Sequence, residues 1–120
     1  MPRTESDVRH KARLDLVSRG FQDIKLTNEG SKLPSIIREK FTSKSGSGRG
    51  YPDIAGDFRN THGFVLVVET KSPGEIDKAI KDLQHYLQDL KGFTDVVGWA
   101  TDGDKEHWVI QTIEGVQKIL

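Results

Sequence analysis

Phe64-Val65-Leu66-Val67-Val68-Glu69-Thr70-Lys71-Ser72-Pro73-Gly74 is the stretch that decides how this chain folds. Five consecutive β-prone apolar residues with no polar alternation predict a central strand buried on both faces. Pro73-Gly74 ends it. Side chains alternate along a strand, so Glu69 and Lys71 are expected to leave the end of the run on one face, beside one site.

Upstream, Tyr51–Phe58 reads as a second strand and Arg59–Gly63 as the turn of a hairpin. A hairpin between 51–58 and 64–71 is centred near residue 61, which puts Asp53 across from about residue 69. Asp53, Glu69 and Lys71 are therefore expected within a few ångströms of one another. Two carboxylates that close repel each other, and a divalent cation with a preference for oxygen relieves the repulsion. A neighbouring ammonium can orient a water or offset charge on a phosphate. An acid, one spacer and a lysine also occur at Asp23-Ile24-Lys25 and Asp89-Leu90-Lys91. Neither of those closes a buried-looking strand.

Downstream, Glu75–Leu90 reads as a helix with Ile76, Ala79, Ile80, Leu83 and Leu87 on one face and Gly92 as its stop. Asp95–Thr101 and His107–Thr112 read as strands joined by Asp102-Gly103-Asp104, and Glu114–Leu120 as the start of a further helix. At the other end, Thr4 with Asp7 predicts a capped helix start. Val8, Ala12 and Leu16 form its stripe, Leu14 and Val17 widen it, and Gly20 stops it. Residues 35–41 suit either a strand or a short helix, and 42–50 form a Gly/Ser loop. The expected fold class is α/β, a mixed central sheet flanked by helices, in one domain spanning 1–120.

Composition sets limits. The chain has 120 residues, enough to bury roughly two thirds of its unfolded surface in one modest core. It contains no cysteine, which excludes disulfides and thiolate metal sites. No apolar run is long enough for a membrane span, so no membrane is expected and a cytoplasmic location is the default. Eighteen basic and eighteen acidic residues give zero formal net charge, so DNA affinity has to come from local patches or attached partners.

Tyr51-Pro52-Asp53, a hairpin, and Val68-Glu69-Thr70-Lys71 together resemble the PD-(D/E)XK nuclease superfamily. Within it, the chain is most similar to the N-terminal nuclease domain of type I restriction-enzyme motor subunits and related single-chain restriction enzymes. Glu5, Gly20-Phe21, Ser72-Pro73 and Trp99-Ala100-Thr101-Asp102-Gly103 extend the likeness over most of the sequence. The resemblance implies a restriction-endonuclease-like core and an endonuclease that hydrolyses DNA phosphodiester bonds to 5′-phosphate and 3′-hydroxyl ends. It implies Mg²⁺, with Mn²⁺ as a substitute, held by Asp53 and Glu69, with the Thr70 carbonyl and Glu5 as further ligands. Lys71 would help activate the attacking water. The partners implied are DNA and a helicase or translocase, or methyltransferase and specificity domains.

Many such domains carry Gln-x-x-x-Tyr on the helix after the lysine; here the matching pair is Asp82 and Tyr86. Tyr86 and Gln84 are candidate DNA contacts, and so are Lys44 and Arg49 of the Gly/Ser loop. An acid at 82 would repel phosphate unless paired, with Lys78 the expected partner. Restoring the family residue by Asp82→Gln is then expected to preserve or raise cleavage. Plainer readings stand beside these. The acid–acid–lysine set is also what a structural ion pair looks like, Glu5 suits the helix dipole, and Tyr86 suits a core edge. Trp99 and Trp108 read as core, and His10, His62, His85 and His107 share no metal-ligand spacing. VRR-type and junction-resolving nucleases, and an idle PD-(D/E)XK fold that only binds DNA or protein, are the alternatives.

Overall fold

The computed structural model describes residues 3–120. Helix α1 (Glu5–Ser18) opens with the expected capping box, Thr4 and Asp7 exchanging side-chain and backbone hydrogen bonds. One helical turn, α2 (Ser35–Arg38), resolves the ambiguous 35–41 segment. Strands β1 (Ile54–Phe58) and β2 (Phe64–Thr70) form the hairpin. Helix α3 (Ile76–Asp89) crosses over to β3 (Val96–Thr101), and β4 (Glu106–Gln111) and β5 (Gln117–Ile119) complete the chain. The five strands lie in the order β1-β2-β3-β4-β5; β2 and β3 are parallel and every other pair is antiparallel. The architecture is mixed α/β, with helices flanking a mixed sheet.

β2 is buried along almost its whole length, as its unbroken apolar run requires. Its Val65 and Val67 pack with Ala79, Leu83, Tyr86 and Leu87 of α3, while Leu66 and Val68 pack with Ala12 and Leu16 of α1. Each fully buried Leu or Val is worth roughly 1.5–3 kcal/mol of transfer free energy. Gly98 on β3 sets how closely α3 approaches: a Cβ there would meet Leu83 at 3.1 Å. Trp99 and Trp108 stack at 4.7 Å, and the read of core packing fits Trp99, with Trp108 only partly buried.

Four expectations are corrected. The first strand starts at Ile54 rather than Tyr51, because Pro52 has no N–H for a ladder and the Asp53 N–H is engaged by a side chain. Leu14 and Val17 do not widen the buried stripe of α1 but are exposed; at about 100° per residue, Leu14 sits some 200° from Leu16. The tail 114–120 is not helical. Gly115 at φ +87° closes a turn in which Gly115 donates to the Thr112 carbonyl and Thr112 to that of Val116, and β5 then pairs with β4. Finally, the helix over 75–90 begins one residue later, with Glu75 at its N-cap. Among the described residues no helix is long and apolar enough to cross a membrane.

Candidate active site

Ile54 pairs with Val68, so the residue before the strand falls opposite Glu69, as the hairpin arithmetic anticipates. The Asp53 N–H donates to Glu69 Oε2 at 2.7 Å. In return the Thr70 N–H and hydroxyl both donate to Asp53 Oδ2, at 2.8 and 3.1 Å. Each carboxylate thus has one oxygen fixed by a backbone amide. Among the described residues, Asp53 Oδ1 accepts no hydrogen bond and Glu69 Oε1 has only the Lys44 ammonium, at 3.5 Å. Glu69 is 1% exposed. Burial, then the charge of Asp53, push its carboxyl up to about 8.

Lys71 leaves the strand on the Glu69 face, as alternation requires. Its ammonium lies 3.0 Å from Asp82 on α3 and 3.7 Å from Glu5 on α1. Asp82 also holds Lys44, at 2.9 Å. Burial, the largest single influence, works against the charge of both lysines and of Asp82, but hydrogen bonding and charge attraction together outweigh it. Lys44 and Lys71 are held above the usual ammonium range and Asp82 below the usual carboxylate range. Lys71 is therefore a fixed cation and not a proton acceptor in this state.

Lys44 is delivered by the 42–50 loop, which is tied at both ends. Thr42 bonds to Asp89 of α3 through its N–H and its hydroxyl, at 2.9 and 3.0 Å, and Arg49 donates to the Glu39 carbonyl at 2.6 Å. The turn after β3 braces the site from the other side. Asp102, 1% exposed, accepts from the N–H groups of Gly74, Asp104 and Lys105, which pins the segment following Lys71. Sequence reading took Asp102-Gly103-Asp104 for a turn and Asp102 for part of the family likeness, but gave Asp102 no bracing role; the Asx chemistry of that tripeptide was the available signal.

Several assigned residues stand elsewhere. Tyr86 is not a surface residue that could touch DNA: it is 1% exposed, packed edge-on against Phe41, and donates its hydroxyl to the Tyr51 carbonyl at 3.1 Å. Burial raises its pKa. Arg49 spends its guanidinium on the loop's own carbonyls, Arg38 and Glu39, instead of facing the site. Gln84 is half-buried and lines none of the clefts beside the site. The expected partner of Asp82 is also wrong, since Lys78 pairs with Glu75. Glu5 does reach the cluster, but through Lys71 and not through the two acids. Among the described residues no group of three or more His, Asp or Glu side chains is assembled to hold a metal.

The donor set fits an oxygen-loving cation to this extent: two adjacent carboxylates, each oriented through one oxygen, with Asp53 Oδ1 unclaimed among the described residues and a Glu69 so buried that it is unstable as a bare anion. Comparison with protein-family models, curated proteins and solved structures finds no match for this chain.

Proposed function

We propose that this chain is a metal-dependent deoxyribonuclease domain with a restriction-endonuclease-like core, acting as the nuclease module of a restriction enzyme. The observation that carries the reading is the mutual bracing of Asp53 and Glu69 through backbone amides, beside a lysine that is kept charged. Asp53, Glu69 and the Thr70 carbonyl would hold Mg²⁺. Bound there, Mg²⁺ supplies Lewis-acid polarisation of the phosphodiester and a more acidic water. Lys71 offsets the negative charge that builds on the phosphate, a role suited to an ammonium that does not lose its proton. Asp82 positions that ammonium, and Asp102 fixes the backbone leading away from it. Zero net charge suits a module brought to DNA by a translocase or recognition domain. The test is nicking of supercoiled plasmid by the chain at high protein concentration with Mg²⁺ or Mn²⁺. The ends produced should carry 5′-phosphate and 3′-hydroxyl; 3′-phosphate ends would contradict the assignment.

Asp82 reverses one sequence-based expectation. With Lys71 and Lys44 both resting on it, Asp82→Gln removes the anchor of two cations. Cleavage should fall about tenfold, mainly in kcat. A rate equal to or above wild type in a folded variant would make Asp82 a spectator.

One observation favours a second reading, an idle fold of the same type that only binds. Lys44 sits 3.5 Å from Glu69 Oε1, so its ammonium already meets the oxygen that a metal would need. Removing it by Lys44→Ala leaves cleavage at zero if the fold is idle, whereas a working site still cuts in Mg²⁺.

A further inference from the structure

Two basic clefts flank the acid pair, and each ends on a member of the site. On the α3 side, a cleft of about 410 Å³ is lined by Lys44, Lys71, Lys78, Lys81, Asp82 and His85. On the α1 side, a cleft of about 250 Å³ is lined by Arg9, His10 and Arg13 and reaches Asp53 and Ile54. The second cleft was not evident in the sequence, because Arg9, His10 and Arg13 are separated by 40 residues or more from Asp53 and come together with it only when α1 lies beside the start of β1.

We propose that the two clefts are the ends of one track for a DNA strand, which crosses the Asp53–Glu69–Lys71 cluster and is gripped on both sides of it by backbone phosphates. The proposal rests on the nuclease reading for what happens midway, but not for the grip itself. Lys44 and Lys71 are already paired with Asp82 and Glu5, so they add little net attraction for a polyanion. The cations free to meet phosphate lie outside them. Among the described residues neither Arg9 nor Lys81 makes an ion pair, while Arg13 and Lys78 hold exposed pairs with Asp23 and Glu75 that are worth little in water. Two such cations stand on each flank, with the acids between them. That arrangement positions a backbone without reading its sequence, since lysines and arginines on phosphates carry no base information. It also explains how a chain of zero net charge can hold a polyanion: the charge is segregated, not absent.

Four phosphate contacts predict a slope of log affinity against log salt of about −3 to −4. The test is fluorescence anisotropy of a labelled duplex oligonucleotide in EDTA, titrated at several salt concentrations. Arg9→Gln and Lys81→Gln should each make the slope shallower by about 1. The double variant should make it shallower by about 2, because the two grips act on one strand. Lys118→Gln, on the exposed β5 strand away from both clefts, is the control and should leave the slope unchanged. None of the three side chains is buried, and melting curves of each variant serve as the check on its fold. Slopes for Arg9→Gln and Lys81→Gln equal to that of Lys118→Gln overturn the track, whatever the cleavage assay gives. A change at one cleft only also overturns it, since a single patch is not a track. Because binding is read without metal, reduced slopes in a chain that never cuts uphold the track and remove the nuclease reading alone.

Discussion

Lys71→Ala is expected to lower DNA cleavage by about 10³-fold, roughly 4 kcal/mol of transition-state stabilisation, which is the scale of removing one preorganised charge from a phosphoryl or acyl transfer site. Burial opposes the charge of Lys71, but the hydrogen bond and charge of Asp82, with the charge of Glu5, together hold it above the ordinary ammonium range. It offers charge at a fixed place rather than a proton sink. The substitution leaves Asp82 paired with Lys44, so no buried acid is orphaned and the melting temperature should hardly move. Metal binding through Asp53 and Glu69 should persist. A Lys71→Ala protein that cuts plasmid at the wild-type rate removes this mechanism.

The second large effect concerns Glu69 and pH. Its folded carboxyl titrates at about 8 against an ordinary value of 4.5, because burial and Asp53 disfavour the anion. Between those values the folded state holds a proton that the unfolded state has released. Metal-free stability is therefore fully present below about pH 4.5 and is lost as pH rises through about 8, a change on the order of 3–5 kcal/mol. Glu69→Gln, uncharged at every pH, should flatten that decline and raise the melting temperature of the metal-free protein at pH 8. Mg²⁺ reverses the balance by favouring the anion. The melting shift it gives should grow with metal concentration and be larger at pH 8 than at pH 6, where a proton must first leave. Calorimetry showing the same Mg²⁺ shift at both pH values, or an undiminished shift in Glu69→Gln, contradicts this assignment of Glu69.

The central geometry was legible because it depends on two local periodicities. Alternation along 64–70 put Glu69 and Lys71 on one face, and the hairpin centre near 61 put Asp53 opposite Glu69; the observed pairing of Ile54 with Val68 follows the same arithmetic. The partners of Asp82 were not legible. They depend on where the 42–50 loop carries Lys44, and that path is set by Thr42 against Asp89, a contact 47 positions apart that no local rule encodes. Tyr86 was misread as a candidate contact because periodicity locates a residue on a helix but does not tell which flank of the apolar stripe turns inward. Here the hydroxyl found the Tyr51 carbonyl, and that bond made burial affordable. The 114–120 segment went wrong at one residue, Gly115, whose positive φ suits a turn and not a helix.

The most direct test of metal-dependent cleavage at the Asp53–Glu69 pair is plasmid nicking by the wild-type chain and by Asp53→Asn, each in Mg²⁺ and in EDTA. Asp53→Asn keeps an acceptor for the Thr70 N–H and hydroxyl while removing the charge, so the fold and the DNA track are spared. The account predicts nicking by wild type in Mg²⁺ and in none of the other three samples. Nicking that persists in EDTA, equal nicking by Asp53→Asn, or no nicking by wild type in Mg²⁺ would contradict it.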